Sequence, residues 1–544
     1  MNRLSLLLVL SFLVADVSPA ADSAGVPAAQ KRYVISDLGA VADGTTVNTK
    51  AIQAAIDRCA AEGGGVVVVP KGTFLSGALY FKQGVNLIIE KDAVLKSTTN
   101  MADFPPIYTR WEGIERYWTS AFLNFVSMSN VEVTGEGLID GSGLGFGGLR
   151  GGPGGRGAGR GGAGQGGPAA AAAPNGAPPA GAPAAAAPAP APVTSAPATP
   201  FVYPTPAPTT AILNVLPPGT RLPVVNAAGV RLPGGGQRGA PAGAAPGAPA
   251  GATPAVAATG AGAPPLRGFG GGGLAPPRTV VFQNCDHVHV AGLNVLNQAR
   301  WAWVFIYSTD VLAENLTARN PTHTIPSSDG MDIDSCKNVH VTGCTFEAND
   351  DCLSIKAGKD EDGRRVNRPC EDILIEKTHF AFGHGGAAMG SETSGGIRNV
   401  IVRDCVCDQG NLAPIRFKTQ VTRGGVVENI TYENITLTGT RQAFEFNLEW
   451  SAAGGVGQRV PPVVRNVIIR NVTGTVNSVG TMHGLTDSPI QGVKFINVKL
   501  TAQRPLMIDN VTGLDTAGLT VDGLDGPAVV ERNTTAPTAT DAAP

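Results

Sequence analysis

Residues 338–343 read Asn-Val-His-Val-Thr-Gly, and variants of this phrase recur along the chain. NLIIE begins at 86, NVEVTG at 130, HVHVAG at 287, DVLAEN at 310, DILIEK at 372 and NVIVRD at 399. NITYEN at 429, NVIIRN at 466, GVKFIN at 492 and GLTVDG at 518 complete the series. Each copy alternates apolar and polar side chains and favours Val and Ile, the pattern of a half-buried strand. From 287 onward the spacing runs from 23 residues (287 to 310) to 37 (429 to 466). That is too short for a series of units with full crossover helices. Strand after strand at this period predicts an all-β chain wound as a parallel β-helix, each turn burying its apolar face on the next.

One interval breaks the period. From 130 to 287 there are 157 residues, but 94 of the 135 residues at 143–277 are Gly, Ala or Pro. Without those 135 residues, 22 remain, which is one coil. The segment therefore reads as an insertion into a single loop of the solenoid. It offers too little apolar surface to offset the entropy of ordering it, so a long disordered loop is expected. The chain's 72 Gly and 42 Pro are concentrated there, and its only charges are seven Arg. The net charge of −2 thus sets a basic insertion against an acidic remainder. A collagen and a wholly disordered chain are both excluded.

The remaining boundaries follow from composition. Arg3, the apolar run Leu4–Val14 and Ser18-Pro19-Ala20 have the form of a leader peptide over 1–20, too short to span a bilayer. A secreted or periplasmic protein without a membrane span is expected. Residues 21–142 carry the cap and first coils, 278–526 the later coils, and 527–544 a flexible tail. Ala51, Ile52, Ala55, Ile56 and Cys59 recur at helical spacing before Gly63-Gly64-Gly65, predicting a short helix over the open end of the stack. The eight Cys are too sparse for a disulfide scaffold. No zinc motif and no basic face for nucleic acid is present. The Asn-x-Thr triplets at 315, 429, 434, 471, 510 and 533 read as solenoid turns rather than glycan acceptors.

Chemistry concentrates in four clusters on successive coils: Ser327-Ser328-Asp329-Gly330, Asn349-Asp350-Asp351-Cys352, Gly383-His384-Gly385 and Ile415-Arg416-Phe417-Lys418. Strands in register lie about 4.8 Å apart, so the clusters converge on one patch. Three carboxylates there cannot all ionise freely, and at least one pKa should rise. Glycoside hydrolysis needs this: one acid for the leaving oxygen and a carboxylate to activate water. Arg416 and Lys418 alternate with core-facing Ile415 and Phe417, face outward, and suit a substrate bearing carboxylates. Asp329 and Asp351 share parity with core positions, so each must lie in the turn entering its strand or beside a bulge. Asp332 and Asp334 are expected to satisfy turn backbone groups or shape the site edge.

At these clusters the sequence resembles the polygalacturonases of glycoside hydrolase family 28, right-handed β-helix pectinases. The family's Asn-Thr-Asp, Asp-Asp, Gly-His-Gly and Arg-Ile-Lys stand here as Ser327-Ser328-Asp329, Asp350-Asp351, Gly383-His384-Gly385 and Arg416-Phe417-Lys418. The likeness extends to DLGAVADGTTVNTKAIQAAID from Asp37 and GEGLIDGSG from Gly135. It implies that Asp350 is the general acid, that Asp329 and Asp351 activate the water with inversion, and that His384 supports the acid. Arg416 and Lys418 would bind a galacturonate of a pectic polysaccharide, with no metal or other cofactor, in a monomer. Ser327 and Ser328 depart from the motif, and the aromatic pair expected after Asp140-Gly141-Ser142-Gly143 is absent. SIKAGKDEDGRRVN from Ser354 and GSETSGG from Gly390 are closer to exo-acting bacterial members. The alternatives are a rhamnogalacturonan or xylogalacturonan hydrolase, a pectate lyase-like β-helix and a non-catalytic polysaccharide-binding β-helix.

Overall fold

The computed structural model describes residues 30–146, 274–451 and 457–532. The expected leader, residues 147–273 of the expected insertion and residues 533–544 of the expected tail lie outside the described residues, whereas Gly143–Phe146, the first residues of the expected insertion, form a 3-10 turn. The strands wind as one right-handed parallel β-helix with three faces. One face stacks Leu123–Val126, Val280–Gln283, Trp303–Ile306, Met331–Asp334 and Leu353–Lys356. It continues through residues 387–390 and 415–418 of the longer strands His379–Gly390 and Ile397–Lys418. The second face carries the repeated phrase itself, for example Asp286–Ala291, Thr309–Glu314 and Lys337–Thr342. The third is built from short strands such as Thr317–Arg319 and Thr345–Glu347.

Register across the excised interval is direct: Leu123 pairs with Val280 and Val131 with Val288. Adjacent coils therefore flank the insertion, whose two ends leave and rejoin one loop. Val529–Arg532 pairs in parallel with Leu506–Asp509, so the coil stack runs into the region expected to be a tail from 527. Thr49–Ala61 is the expected helix, burying Ile52, Ala55, Ile56 and Cys59 against the first coil. It ends where Gly63 and Gly64 take φ of +95° and +97°, a conformation other residues disfavour. All eight cysteines are buried as free thiols. No helix among the described residues is long and apolar enough to cross a membrane.

The core is built of in-register columns. Phe125, Phe282 and Phe305 are aligned on the first face, and with Phe81 they stack at centroid separations of 4.2, 4.7 and 5.1 Å. The corners are held by amide ladders. Asn429 donates to Asn399 and Asn466 to Asn429, while at the next corner Asn434 donates to Asp404 and Asn471 to Asn434. Asn315, Asn429, Asn434, Asn471 and Asn510 all have φ of 52–57°, so the described Asn-x-Thr asparagines are turn residues.

Two additions to the coil stack were not evident in the sequence. Pro106–Trp111 and Ile114–Thr119 form an antiparallel hairpin, and Asp360–Val366 forms a short helix. The hairpin lies over the outer side of the first face. Trp111 stacks on Trp301 at 5.1 Å, and Arg110 pairs with Asp334 at 2.9 Å. Its tip reaches the short helix, Lys359 donating its amide to Gly113 (2.9 Å) and Glu115 its amide to Asp362 (2.9 Å). Phe282→Ala would remove the central ring of the phenylalanine column at a cost of about 3–5 kcal/mol. The expected result is a lower urea midpoint; an unchanged midpoint would refute the column's role in stability.

Candidate active site

Three of the four clusters lie at one edge of the first face, and Arg416 and Lys418 reach them from within residues 415–418 of the same face. Asp329 lies just before strand Met331–Asp334, Asp350 and Asp351 just before Leu353–Lys356, and His384 just before residues 387–390. Both Asp residues that share core parity thus lie in the turns entering their strands, as expected, although neither is exposed there. Ser328 holds this edge together: its hydroxyl donates to the Ile325 carbonyl (2.8 Å) and accepts from Asn320 (2.8 Å) and the Asn349 amide (3.2 Å). The serine that departs from the family motif therefore fixes the turn that carries Asp329.

Oxygens of Asp329, Asp350 and Asp351 lie within 4.8 Å of one another. Asp329 and Asp351 are buried, whereas the Asp350 side chain is 29% exposed and lies 3.3 Å from Nδ1 of His384. Lys418 pairs with Asp351, which also accepts from Ser354 (2.9 Å) and lies 3.2 Å from Arg416. The three carboxylates could in principle surround a cation, but Lys418 and Arg416 already place positive charge against them.

Environment separates the carboxyl groups. Burial, reinforced by the charges of Asp332 and Asp350, pushes Asp329 well above the usual range. Burial would raise Asp350 too, but the hydrogen bond with His384 and the charges of Lys418 and Arg416 outweigh it and hold it low. In Asp351 burial is likewise overcome by Lys418 and Arg416. His384 is raised by its hydrogen bond to Asp350. The resting proton therefore belongs on Asp329 rather than on Asp350.

Arg416 is more enclosed than its outward parity suggests. It faces outward on its strand, but the residue is only 1% exposed. Its guanidinium is bound by Asp351 and Glu445 (2.6 Å) and lies 4.6 Å from the centre of the Trp450 ring. It supports Asp351 here rather than offering itself to a ligand. Lys418 lies at 5.8 Å from the same ring. Glu445 could have been found from register, since it pairs with Arg416 on the next coil. Trp450 follows that strand in a turn and had no such signal.

Asp332 and Asp334 face buried cations rather than turn amides, correcting their expected place. Asp334 binds Arg110, and Asp332 lies 3.5 Å from Lys356, which also pairs with Glu392 at 3.1 Å. Lys356 lies 4.9 Å from the centre of the Trp301 ring. Burial pushes Asp332 up to about 8 despite Lys356. In the unfolded chain this carboxyl loses its proton near pH 3.9, so between roughly pH 4 and 8 it weakens the fold as pH rises. Asp332→Asn should raise the melting temperature more at pH 8 than at pH 4.5; equal effects would contradict this linkage.

Comparison with known proteins agrees with this arrangement. The family model for glycosyl hydrolases family 28 matches residues 270–518, which hold all four clusters. A second model, rhamnogalacturonase A/epimerase, pectate lyase-like, matches residues 32–138. A probable polygalacturonase of Vitis vinifera is 28% identical over 228 residues, covering 41% of this chain and 46% of that protein. The chain thus spans about half the length of this relative. The exo-poly-alpha-D-galacturonosidase of Dickeya chrysanthemi is 23% identical over 513 residues, covering 90% of this chain and 71% of its own length. In fold the chain is similar to a hyperthermoactive exopolygalacturonase from Thermotoga maritima, with a TM-score of 0.61, 22% identity, and coverage of 90% and 92% of the two chains. With the β-helix, the four ordered motifs and these matches, residues 270–518 of the chain are those of glycosyl hydrolases family 28.

Proposed function

We propose that this protein is an exported pectinase that hydrolyses α-1,4-galacturonosyl linkages. The observation that carries the reading is the convergence of Asp329, Asp350 and Asp351 within 4.8 Å, with Lys418 against them. Names of relatives support the substrate: a probable polygalacturonase of Vitis vinifera is similar over 41% of this chain and the exo-poly-alpha-D-galacturonosidase of Dickeya chrysanthemi over 90%. The leader-like N-terminus supports export.

Asp350 is the acid in this proposal, because it alone of the three carboxylates is open to solvent and it contacts His384. It must gain a proton when substrate binds. A uronate carboxylate drawn to Lys418 competes for the charge that keeps Asp350 ionised, and exclusion of water favours the neutral acid further. Asp329, whose carboxyl lies within 4.8 Å of Asp350, supplies that proton, and Asp329 and Asp351, then both ionised, orient and deprotonate the attacking water. Polygalacturonate with purified protein and a chelator should release reducing ends without unsaturated products; no hydrolysis of any pectic polymer would reject the assignment. Asp350→Asn should lower kcat by about 10²–10⁴-fold while leaving the fold intact.

Inversion rests on the family motifs. Inverting glycosidases usually set the two carboxyl groups ~6.5–9.5 Å apart and retaining ones ~5–5.5 Å. The anomer of the first product, followed by NMR, decides between them, and a retained configuration would overturn inversion. Attack from a chain end is favoured by the hairpin, which with Trp301 walls the site beside Lys356 and is joined to the short helix. A defined galacturonate oligomer should lose one small product unit at a time; early products of mixed length would indicate internal cleavage.

A further inference from the structure

The carboxylates precede the strands of the first face; at its other edge, four residues or ~13 Å away, the chain turns toward the second face. There Ser394-Gly395-Gly396 leads into Ile397–Lys418, beside the helix Asp360–Val366. Between them is a cavity of about 490 Å³, lined by Arg364, Ser394, Gly395, Gly396, Arg398 and Gly425, among others. We infer that this cavity is a second binding site, for a sugar acid held by its carboxylate at Arg364.

The charge balance points to an anion. Arg364 donates to the carbonyls of Thr422 (2.6 Å) and Arg423 (3.2 Å), which orient its guanidinium without neutralising it. No carboxylate among the described residues pairs with it. The other charged groups lining the cavity are already matched: Arg398 binds Glu371 and Glu428 binds Arg465 at 2.7 Å. Arg364 therefore supplies the uncompensated charge, and a guanidinium can hold a carboxylate through two parallel hydrogen bonds.

The polar lining and the size point to a sugar. The Ser394 hydroxyl is buried with no hydrogen-bond partner, although its residue is only 4% exposed. A buried hydroxyl left unmatched is costly, and a ligand hydroxyl would satisfy it. Gly395, Gly396 and Gly425 bring bare backbone to the lining, where a ring can approach. The volume lies within the ~300–1,000 Å³ typical of small-molecule sites and far exceeds what an inorganic anion fills. None of these residues touches the catalytic carboxylates, so occupancy and turnover are separable. The choice of galacturonate as the sugar acid rests on the proposed function.

Free D-galacturonate, which has no glycosidic bond to cleave, is titrated into the full-length protein by calorimetry. Two classes of site are expected. Arg364→Gln should weaken one class by about tenfold or more while hydrolysis of a short oligogalacturonide is unchanged. Because Arg364 also holds two carbonyls, Ser394→Ala serves as the milder second variant and should weaken the same class. Unaltered galacturonate binding in both variants would overturn the site. So would equal affinity for neutral D-galactose, and displacement by inorganic phosphate at matching concentration would reduce it to a general anion site. Binding lost in Arg364→Gln, in a protein that hydrolyses no pectic polymer, would leave this site standing and the proposed function fallen.

Discussion

Every coil of this molecule must place its inward side chains directly on those of the coil before it. Parallel strands about 4.8 Å apart allow no other arrangement, and each coil's exposed apolar face is covered only by its neighbour. The phenylalanine column and the corner asparagines are two expressions of that constraint. So is the active site. Asp329, Asp351 and Lys418 are far apart in sequence, yet stacking brings them together on one sheet. Catalytic geometry here is a by-product of register, and anything that shifts one coil by a residue would disperse it.

That dependence explains what could be read from the chain alone. The solenoid was legible because alternation and period are local properties repeated many times. Removing residues 143–277 restored one coil between Val131 and Val288, and those two residues are paired. The convergence of the carboxylates followed from period alone. The hairpin over the first face was not legible, because its sequence carries no repeat and its partners Trp301, Asp334 and Asp362 lie in distant coils. Trp450 was missed for the same reason. Burial also escaped a reading based on parity: Arg416 and Asp332 point outward from the strand, but the outward side is itself covered. Direction along a strand and access to solvent are different quantities wherever a second layer lies over the sheet.

The electrostatics gain from that second layer. Arg110, Lys356, Arg416 and Lys418 are buried cations, each set against a buried or partly buried carboxylate. Removing one member of such a pair leaves an uncompensated charge, which costs far more than the intact pair contributes. The site is therefore rigid because its charges are mutually held. The same arrangement leaves Asp329 as the group that cannot find a counter-ion, and it retains a proton. The cluster therefore combines one protonated carboxyl group, on Asp329, with two ionised ones.

The corner asparagines bear on how the protein can be made. Asn429, Asn434 and Asn471 each use the side-chain amide to reach the preceding coil, and each begins an Asn-x-Thr triplet. An oligosaccharide transferase acts on such triplets while the chain is still entering a secretory compartment, before any ladder exists. A glycan placed there would take one of the two hydrogens of the donating nitrogen and crowd the approach to the preceding coil. Passage through a glycosylating compartment would therefore work against folding of this chain.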